Sequence, residues 1–217
     1  MTSRFDPALI PAAPDLQWER SLWENGFEHV AGIDEAGRGA WAGPVAAAAV
    51  IFPSYFLPPN QPLLIRDSKQ LNAAKRYTLE PLIKELALAW AVGFSSNEEI
   101  DAYGILPATR LAMARALELL GTAPQHLLID ALLLPEIPFS QTALIKGDQR
   151  SLSIAAASIL AKTARDRCME EEARKSPGYA FERNKGYGTR AHQAALFDQG
   201  PCQAHRFSFA PLKHSIK

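Results

Sequence analysis

Residues 30–52 read Val-Ala-Gly-Ile-Asp-Glu-Ala-Gly-Arg-Gly-Ala-Trp-Ala-Gly-Pro-Val-Ala-Ala-Ala-Ala-Val-Ile-Phe, and the reading of this run decides the fold. An apolar segment ends on adjacent acids, Asp34 and Glu35. A Gly37-Arg38-Gly39 turn follows, and a longer apolar segment begins near Pro44. Successive side chains of a strand point to opposite faces. An acid pair at a strand end therefore puts one carboxylate toward the interior or marks where the strand breaks up. An ionised carboxylate near a core is costly unless it is paired or bound to metal, and its oxygens are hard ligands suited to Mg2+ or Mn2+. The glycines allow a sharp turn and bring backbone N–H groups close to a ligand. Arg38 adds a fork suited to phosphate. Taken alone, the same residues also fit a polar hairpin turn with a solvated acid pair.

Two more apolar runs end on acids. His126-Leu127-Leu128-Ile129 leads to Asp130, and Ala143-Leu144-Ile145 leads through Lys146-Gly147 to Asp148. Ligands collect at strand ends in mixed sheets, so Asp34, Asp130 and Asp148 are expected to converge. Helices alternate with these runs. Asn72 is expected to cap one that runs to about Leu86, and a strand follows over Ala87–Phe94. Asn97 caps a short turn, and Pro107 opens a helix with Leu111, Ala114, Leu117 and Leu120 on its apolar face and Gly121 at its end. A long helix runs from about Ser151 to Lys175, its small residues suited to close packing on the sheet. Ser158, Lys162 and Asp166 are spaced four apart and form one polar stripe, with Lys162 and Asp166 read as a salt bridge. Paired strands first and helix-alternating strands later favour an α/β fold, a mixed sheet with helices on its faces.

The flanks are less regular. Residues 1–20 carry Pro7, Pro11 and Pro14 and read as a loose arm, while Leu16–Gly26 suits a short helix with Trp18, Leu22 and Trp23 on one side. The proline-rich segment 53–64 reads as an irregular connection. Arg66, Ser68 and Lys69 stand at a helix entry, which suits a phosphate contact or a solvated charged end equally. Asn184-Lys185-Gly186-Tyr187-Gly188-Thr189 is a second glycine turn centred on a tyrosine, with a short helix from about Thr189. His205-Arg206-Phe207-Ser208-Phe209 mixes basic and aromatic residues.

A chain of 217 residues can bury one substantial core, and 47% apolar residues suit a globular protein. Its 23 basic and 23 acidic residues cancel. Nucleic-acid binders are commonly basic overall, yet a local basic groove can coexist with acids gathered elsewhere. Cys168 and Cys202 lack the spacing of a zinc site and read as reduced thiols. No signal peptide is read in residues 1–17. The longest apolar run, broken by Gly43-Pro44, falls short of the roughly 20 residues of a membrane helix. A cytoplasmic protein without a membrane partner is expected.

Several motifs act together: Gly32-Ile33-Asp34-Glu35-Ala36-Gly37-Arg38-Gly39, Asp67-Ser68-Lys69, Ile129-Asp130, Lys146-Gly147-Asp148 with the segment 153–162, Arg165-Asp166, Gly186-Tyr187-Gly188-Thr189 with His192, and His205-Arg206 with Ser208-Phe209. In these residues the chain resembles the bacterial type 2 ribonucleases H, the ribonuclease HII family. The resemblance implies a ribonuclease H-like fold, a five-stranded mixed sheet flanked by helices with a C-terminal helical extension. By it, residues 1–28 are an arm and short helix, 29–178 the catalytic domain, and 179–217 the extension completing the substrate site. It implies that Asp34, Glu35, Asp130 and Asp148 are catalytic and hold two Mg2+ or Mn2+ ions, with Asp166 in support. It assigns substrate contacts to the backbone of Gly37, Arg38 and Gly39 and to the Tyr187 hydroxyl at the 2′-OH, the group that separates RNA from DNA. Tyr187 would stack on the neighbouring deoxyribose. Apart from the resemblance, Ser68, Lys69 and Lys146 are candidate substrate contacts, and Lys69, Lys146 and Lys185 fit either the strand path or an ordinary lysine surface. His192 and His205 are read as structural or phosphate-proximal.

The implied substrates are RNA-DNA hybrids and duplex DNA carrying single ribonucleotides. A monomer is expected, with a sliding-clamp contact through the tail after Phe209. One departure is Ala131, where many relatives have glycine; alanine is tolerable there unless the backbone takes a positive φ. Three rivals remain. A ribonuclease HIII-like enzyme is expected to carry an N-terminal DNA-binding domain, for which the 30 residues before the first motif leave no room. A glycosidase using two carboxylates needs sugar-stacking aromatics, and Trp41 is the sole nearby candidate. A hybrid-binding module without activity is expected to have lost one of the four acids, and all four are present.

Overall fold

The run quoted above folds as two antiparallel strands, β1 (Val30–Ala36) and β2 (Val45–Ile51), with Asp34 opposite Ala48. This is a computed structural model that describes residues 5–57 and 65–214; parts of the N-terminal arm, the proline-rich connection and the tail lie outside the described residues. β3 (Ala89–Ser95) pairs antiparallel with β2. β4 (His126–Asp130) runs parallel to β1, and β5 (Ser140–Leu144) parallel to β4. The sheet order is β3-β2-β1-β4-β5. Because β1 and β4 are parallel with Ile33 beside Ile129, the next residues of both strands, Asp34 and Asp130, emerge at the same end of the sheet.

β2 is buried at every position, Val-Ala-Ala-Ala-Ala-Val-Ile, so helices cover both faces of the sheet. The long helix α5 (Leu152–Lys175) lies on one face with α1 (Gln17–Glu24) and α2 (Ala73–Leu86), gathering Trp23, Ile83, Ile154 and Leu160 into one core. On the other face, α3 (Asn97–Tyr103) and α4 (Ile105–Glu118) bury Ile100 and Met113 against Ile33 and Leu127. Gly32 makes the α5 face possible. A Cβ there would overlap the Ser153 carbonyl carbon and the Ile154 nitrogen, so strand and helix meet backbone to backbone. The C-terminal part, with α6 (Phe181–Asn184) and α7 (Arg190–Gln199), forms a third cluster in which Met169 of α5 packs on Tyr179, Phe181 and Ala195.

Several boundaries differ from the sequence reading. The arm is tied down from Asp15 onward, where Leu152 donates its N–H to the Asp15 carbonyl at 2.8 Å. Glu19 of α1 is buried, and its Oε1 accepts from Ser151 Oγ at 2.6 Å, Ser153 N at 2.9 Å and Ser153 Oγ at 2.6 Å. It thus satisfies donors at the start of α5 that have no partner within that helix. Asn72 caps α2 as expected, accepting from Lys75 N at 2.9 Å. Ser96, not Asn97, caps α3, because its hydroxyl and the Glu99 carboxylate close a capping box. Gly104, at φ +84°, ends α3 and starts α4 before Pro107 is reached. Pro107 is tolerated in the first turn, where its missing N–H has no intrahelical partner to lose. β5 stops at Leu144, so Asp148 sits beyond the strand, on a 3-10 turn over Gly147–Gln149. No described helix is long and apolar enough to cross a membrane.

Candidate active site

Asp34 from β1, Asp130 from β4 and Asp148 from the turn after β5 bring carboxylate oxygens within 4.8 Å of one another. Asp34 and Asp148 are buried, and Asp130 is half-buried. The local backbone fixes each of them. Asp34 Oδ1 accepts from Glu35 N at 2.7 Å, and Asp130 Oδ1 accepts from Gly147 N at 2.7 Å. Lys146 enters the Asp148 turn in the left-handed region, φ +56°. Desolvation first, and repulsion from neighbouring carboxylates, hold all three carboxyls above their ordinary range. For Asp34 burial is the leading cause, followed by Glu35, Asp130 and Asp148. Asp148 is pushed up to about 7, by burial first and then by Asp67 and Asp130.

Glu35 stands outside the three-carboxylate group, yet it is the first charge after burial to raise Asp34 and is itself raised by Asp130. Its Oε1 accepts from Arg38 Nη1 at 3.0 Å. Its Oε2 is buried without a hydrogen-bond partner among the described residues, and burial raises the carboxyl. Lys69 Nζ stands 3.7 Å from Asp148 Oδ2. The motif around Lys69 also holds Asp67, to which the sequence reading gave no role. Asp67 is buried, accepts from Lys69 N at 2.9 Å and from Gln149 Nε2 at 3.3 Å, and lies against Asp148. An aspartate two residues before Lys69 was the available signal, since aspartate caps tight turns through such a bond.

Not every expected contact residue is free to meet substrate. Ser68, expected on phosphate, is buried with its hydroxyl accepting from Ser158 Oγ at 2.8 Å. Of the α5 stripe, Ser158 serves this contact. Lys162 and Asp166 pair at 2.5 Å as expected, but Asp166 also takes Arg76 at 3.0 Å and belongs to that ion triad rather than to the acid cluster. Lys146 is exposed.

The glycine turns are held by two arginines that sequence reasoning did not single out for this task. Arg165 and Arg206 are fully buried, and neither pairs with a carboxylate among the described residues. Arg165 donates to the carbonyls of Pro44 (2.9 Å), Lys185 (2.9 Å) and Ala42 (3.1 Å). Arg206 donates to Gly43 (2.9 Å), Arg38 (3.0 Å), Ala40 (2.7 Å) and Pro44 (3.0 Å). A guanidinium with five fixed donors can gather carbonyls in this way. Gly37, at φ +94°, leaves no room for a Cβ beside the Arg165 side chain, whereas a Cβ on Gly39 would meet open space. Tyr187 is 37% exposed, so it is not a core tyrosine. The Arg165 guanidinium lies 5.4 Å from its ring centre.

Ala131 meets the condition set by the sequence, because its φ is +50°. An L-residue in this region costs roughly 1–2 kcal/mol. Ala131→Gly is expected to raise stability by about 0.5–1 kcal/mol after the added chain entropy of glycine. Thermal melting should rise by about 1–4 °C; an unchanged or lower midpoint would show that the turn carries no strain.

A five-stranded mixed sheet with its first strand pair antiparallel, and acids gathered at one end, is a ribonuclease H-like architecture. The ribonuclease HII family model matches residues 31–212. The ribonuclease HII of Chloroflexus aurantiacus is 51% identical over 204 residues, which is 94% of this chain and 96% of that protein. The chain belongs to the ribonuclease HII family and is a type 2 ribonuclease H, a hydrolase. Among solved structures, ribonuclease H2 from Pyrococcus horikoshii OT3 superposes with a TM-score of 0.72 at 23% identity, covering 86% of this chain and 96% of that one. The ribonuclease HII of a PCNA complex from Archaeoglobus fulgidus gives 0.70 at 26% identity, covering 83% and 95%. Enzymes of the family depend on divalent metal ions. The residues here fit such ions: hard carboxylates converge, and a buried carboxylate oxygen of Glu35 lacks a partner among the described residues.

Proposed function

We propose that this chain is an endonuclease that hydrolyses the RNA strand of RNA-DNA hybrids. It also cuts on the 5′ side of single ribonucleotides in duplex DNA, leaving 3′-OH and 5′-phosphate ends. The observation that carries this reading is the convergence of Asp34, Asp130 and Asp148, against which the described residues set one ion pair, from Lys69. Such a cluster is costly without a cation, and oxygen ligands alone favour Mg2+ or Mn2+ over zinc. Asp34, Glu35, Asp130 and Asp148 would hold two divalent ions. When bound, these ions supply water activation and neutralise charge on the leaving oxygen.

The chain's own groups do the rest. Lys69 sets an exposed positive charge beside Asp148, which suits a phosphate contact. The backbone around Gly37 and Gly39 is braced from behind by Arg165 and Arg206 and open in front at Gly39, which suits close approach to a ribose 2′-OH. The half-exposed Tyr187 ring suits stacking on the neighbouring sugar, and through it the C-terminal extension completes the substrate site. The PCNA complex of the Archaeoglobus enzyme supports a sliding-clamp contact; its placement on the tail after Phe209 rests on position alone, and residues 215–217 lie outside the described residues.

The test is cleavage of a labelled duplex with one ribonucleotide in a DNA strand, beside an all-DNA duplex, in Mg2+, in Mn2+ and in chelator. Cutting only at the ribonucleotide and only with metal is expected. Binding without cutting in either metal would favour the inactive hybrid-binding module.

The acid cluster also sets a pH dependence. Its carboxyls have folded-state pKa values raised above those of the unfolded chain. Their contribution to stability is full at low pH and is lost as pH rises, through about 7 for Asp148. In chelator the protein is therefore expected to melt lower at pH 8 than at pH 5.5. Added Mn2+ should raise the midpoint more at pH 8 than at pH 5.5, and a scan showing the reverse order would refute the cluster's raised carboxyls.

A further inference from the structure

Two histidines that the chemistry above does not use lie fully buried behind the tyrosine turn, His192 on α7 and His205 in the C-terminal segment. Their Nε2 atoms face each other at 2.9 Å. Backbone groups at the two ends assign the protons. His192 Nδ1 is 3.1 Å from the Tyr187 carbonyl, an acceptor, so Nδ1 carries the proton and Nε2 is bare. His205 Nε2–H must then donate to His192 Nε2. That leaves His205 Nδ1 bare, and it accepts from Cys202 N–H at 2.9 Å. The alternative, His205 Nδ1–H donating to the Cys202 carbonyl at 3.1 Å, would force His192 Nδ1 to meet the Tyr187 carbonyl as two acceptors.

The chain then returns to the same turn by a second route. Arg206, next to His205, donates its backbone N–H to the Trp41 carbonyl at 2.8 Å, and Trp41 N–H donates to the Gly186 carbonyl at 2.8 Å. Gly186 precedes Tyr187. A closed circuit therefore runs from Tyr187 through His192, His205, Arg206, Trp41 and Gly186 back to Tyr187. It joins the turn carrying Tyr187 to the loop carrying Gly37 and Arg38. The aromatic rings of Tyr179 and Phe181 pack around the pair, each 4.9–6.3 Å from an imidazole, and Trp41 lies 5.7 Å from His192.

We propose that His192 and His205 are positioning residues that fix the Tyr187 turn against the Gly37-Arg38-Gly39 loop, as a neutral imidazole pair with one allowed proton arrangement. The proposal rests on the reading of Tyr187 as a ribose contact. Neither histidine touches substrate. A small misplacement of a contact far from the reacting atoms can cost on the order of a hundredfold in rate, which makes such a link consequential.

The test compares His192→Gln, which keeps a partner for His205 but removes the donor to Tyr187, with His192→Asn, whose amide nitrogen takes the place of Nδ1. On a duplex with a single ribonucleotide, kcat/KM is expected to fall about tenfold or more in H192Q and clearly less in H192N. In a Tyr187→Ala background, H192Q should add less than about twofold, because the two substitutions remove the same contact. Additive losses, or an H192Q no weaker than H192N, would overturn the positioning role and leave Tyr187 as a contact. A Tyr187→Ala enzyme with unchanged kcat/KM would instead remove the reading on which the proposal rests. Nitrogen NMR of the wild-type imidazoles needs no variant to fold: His192 should be protonated at Nδ1 and His205 at Nε2 at neutral pH, and the opposite tautomers would overturn the circuit.

Discussion

Asp34→Asn should abolish metal-dependent cleavage, by on the order of a thousandfold or about 4 kcal/mol of barrier, while leaving the protein folded. Asparagine keeps the shape of aspartate and can still accept from Glu35 N–H, the bond that Asp34 Oδ1 makes at 2.7 Å. What it removes is one negative charge from a cluster in which Glu35, Asp130 and Asp148 all push Asp34 upward. The two consequences have opposite signs. In chelator at pH 8, less repulsion should leave the melting midpoint unchanged or higher than wild type. With Mn2+ added, the variant should gain less than wild type, because a hard anionic ligand is gone. Cleavage assays and melts on the same preparations separate these effects. Activity within tenfold of wild type would remove Asp34 from the catalytic set, and a midpoint well below wild type in chelator would mean that its role is structural.

The parts of this site that could be read from the chain are those whose signal is local. Apolar runs ending on acids gave Asp34 and Asp130, because an acid at a buried strand end is a local conflict between burial and charge. Asp148 was recognised with them, but its place on a 3-10 turn depends on Lys146 entering the left-handed region, which a lysine does not announce. The α5 stripe was legible from its spacing of four, whereas its partners were not: Ser158 finds Ser68, and Asp166 finds Arg76. Arg165 and Arg206 were read only as members of motifs. Their partners are backbone carbonyls, which any residue supplies, and the bonds span 121 residues from Arg165 to Pro44 and 163 from Arg206 to Gly43. Glu19 is hidden by distance along the chain, since its donors on Ser151 and Ser153 lie 132 and 134 residues away. Its acceptor role became visible only once α1 lay across the start of α5.

Gly32→Ala is expected to have the largest effect on stability, about 3 kcal/mol or more. One added methyl group normally costs 1–3 kcal/mol in a packed interior, and the neighbours usually absorb part of it by turning side chains. Here the added Cβ would overlap the Ser153 carbonyl carbon and the Ile154 nitrogen, both main-chain atoms, so no rotamer change can relieve it. β1 and α5 would have to separate. The thermal midpoint should fall by roughly 6–12 °C. Separation also reaches the chemistry, because Asp34 lies two residues beyond Gly32 and Asp148 lies just before α5. Moving α5 away from β1 shifts Asp148 relative to Asp34 and should reduce kcat/KM tenfold or more, measured well below the midpoint so that unfolding does not contribute. Gly39→Ala is the control for the method, since a Cβ there meets open space and the midpoint should not move. A Gly32→Ala protein that melts within about 2 °C of wild type would mean that strand and helix are not in backbone contact. One that melts low yet cleaves normally would mean that the acids are held together by β1 and β4 alone.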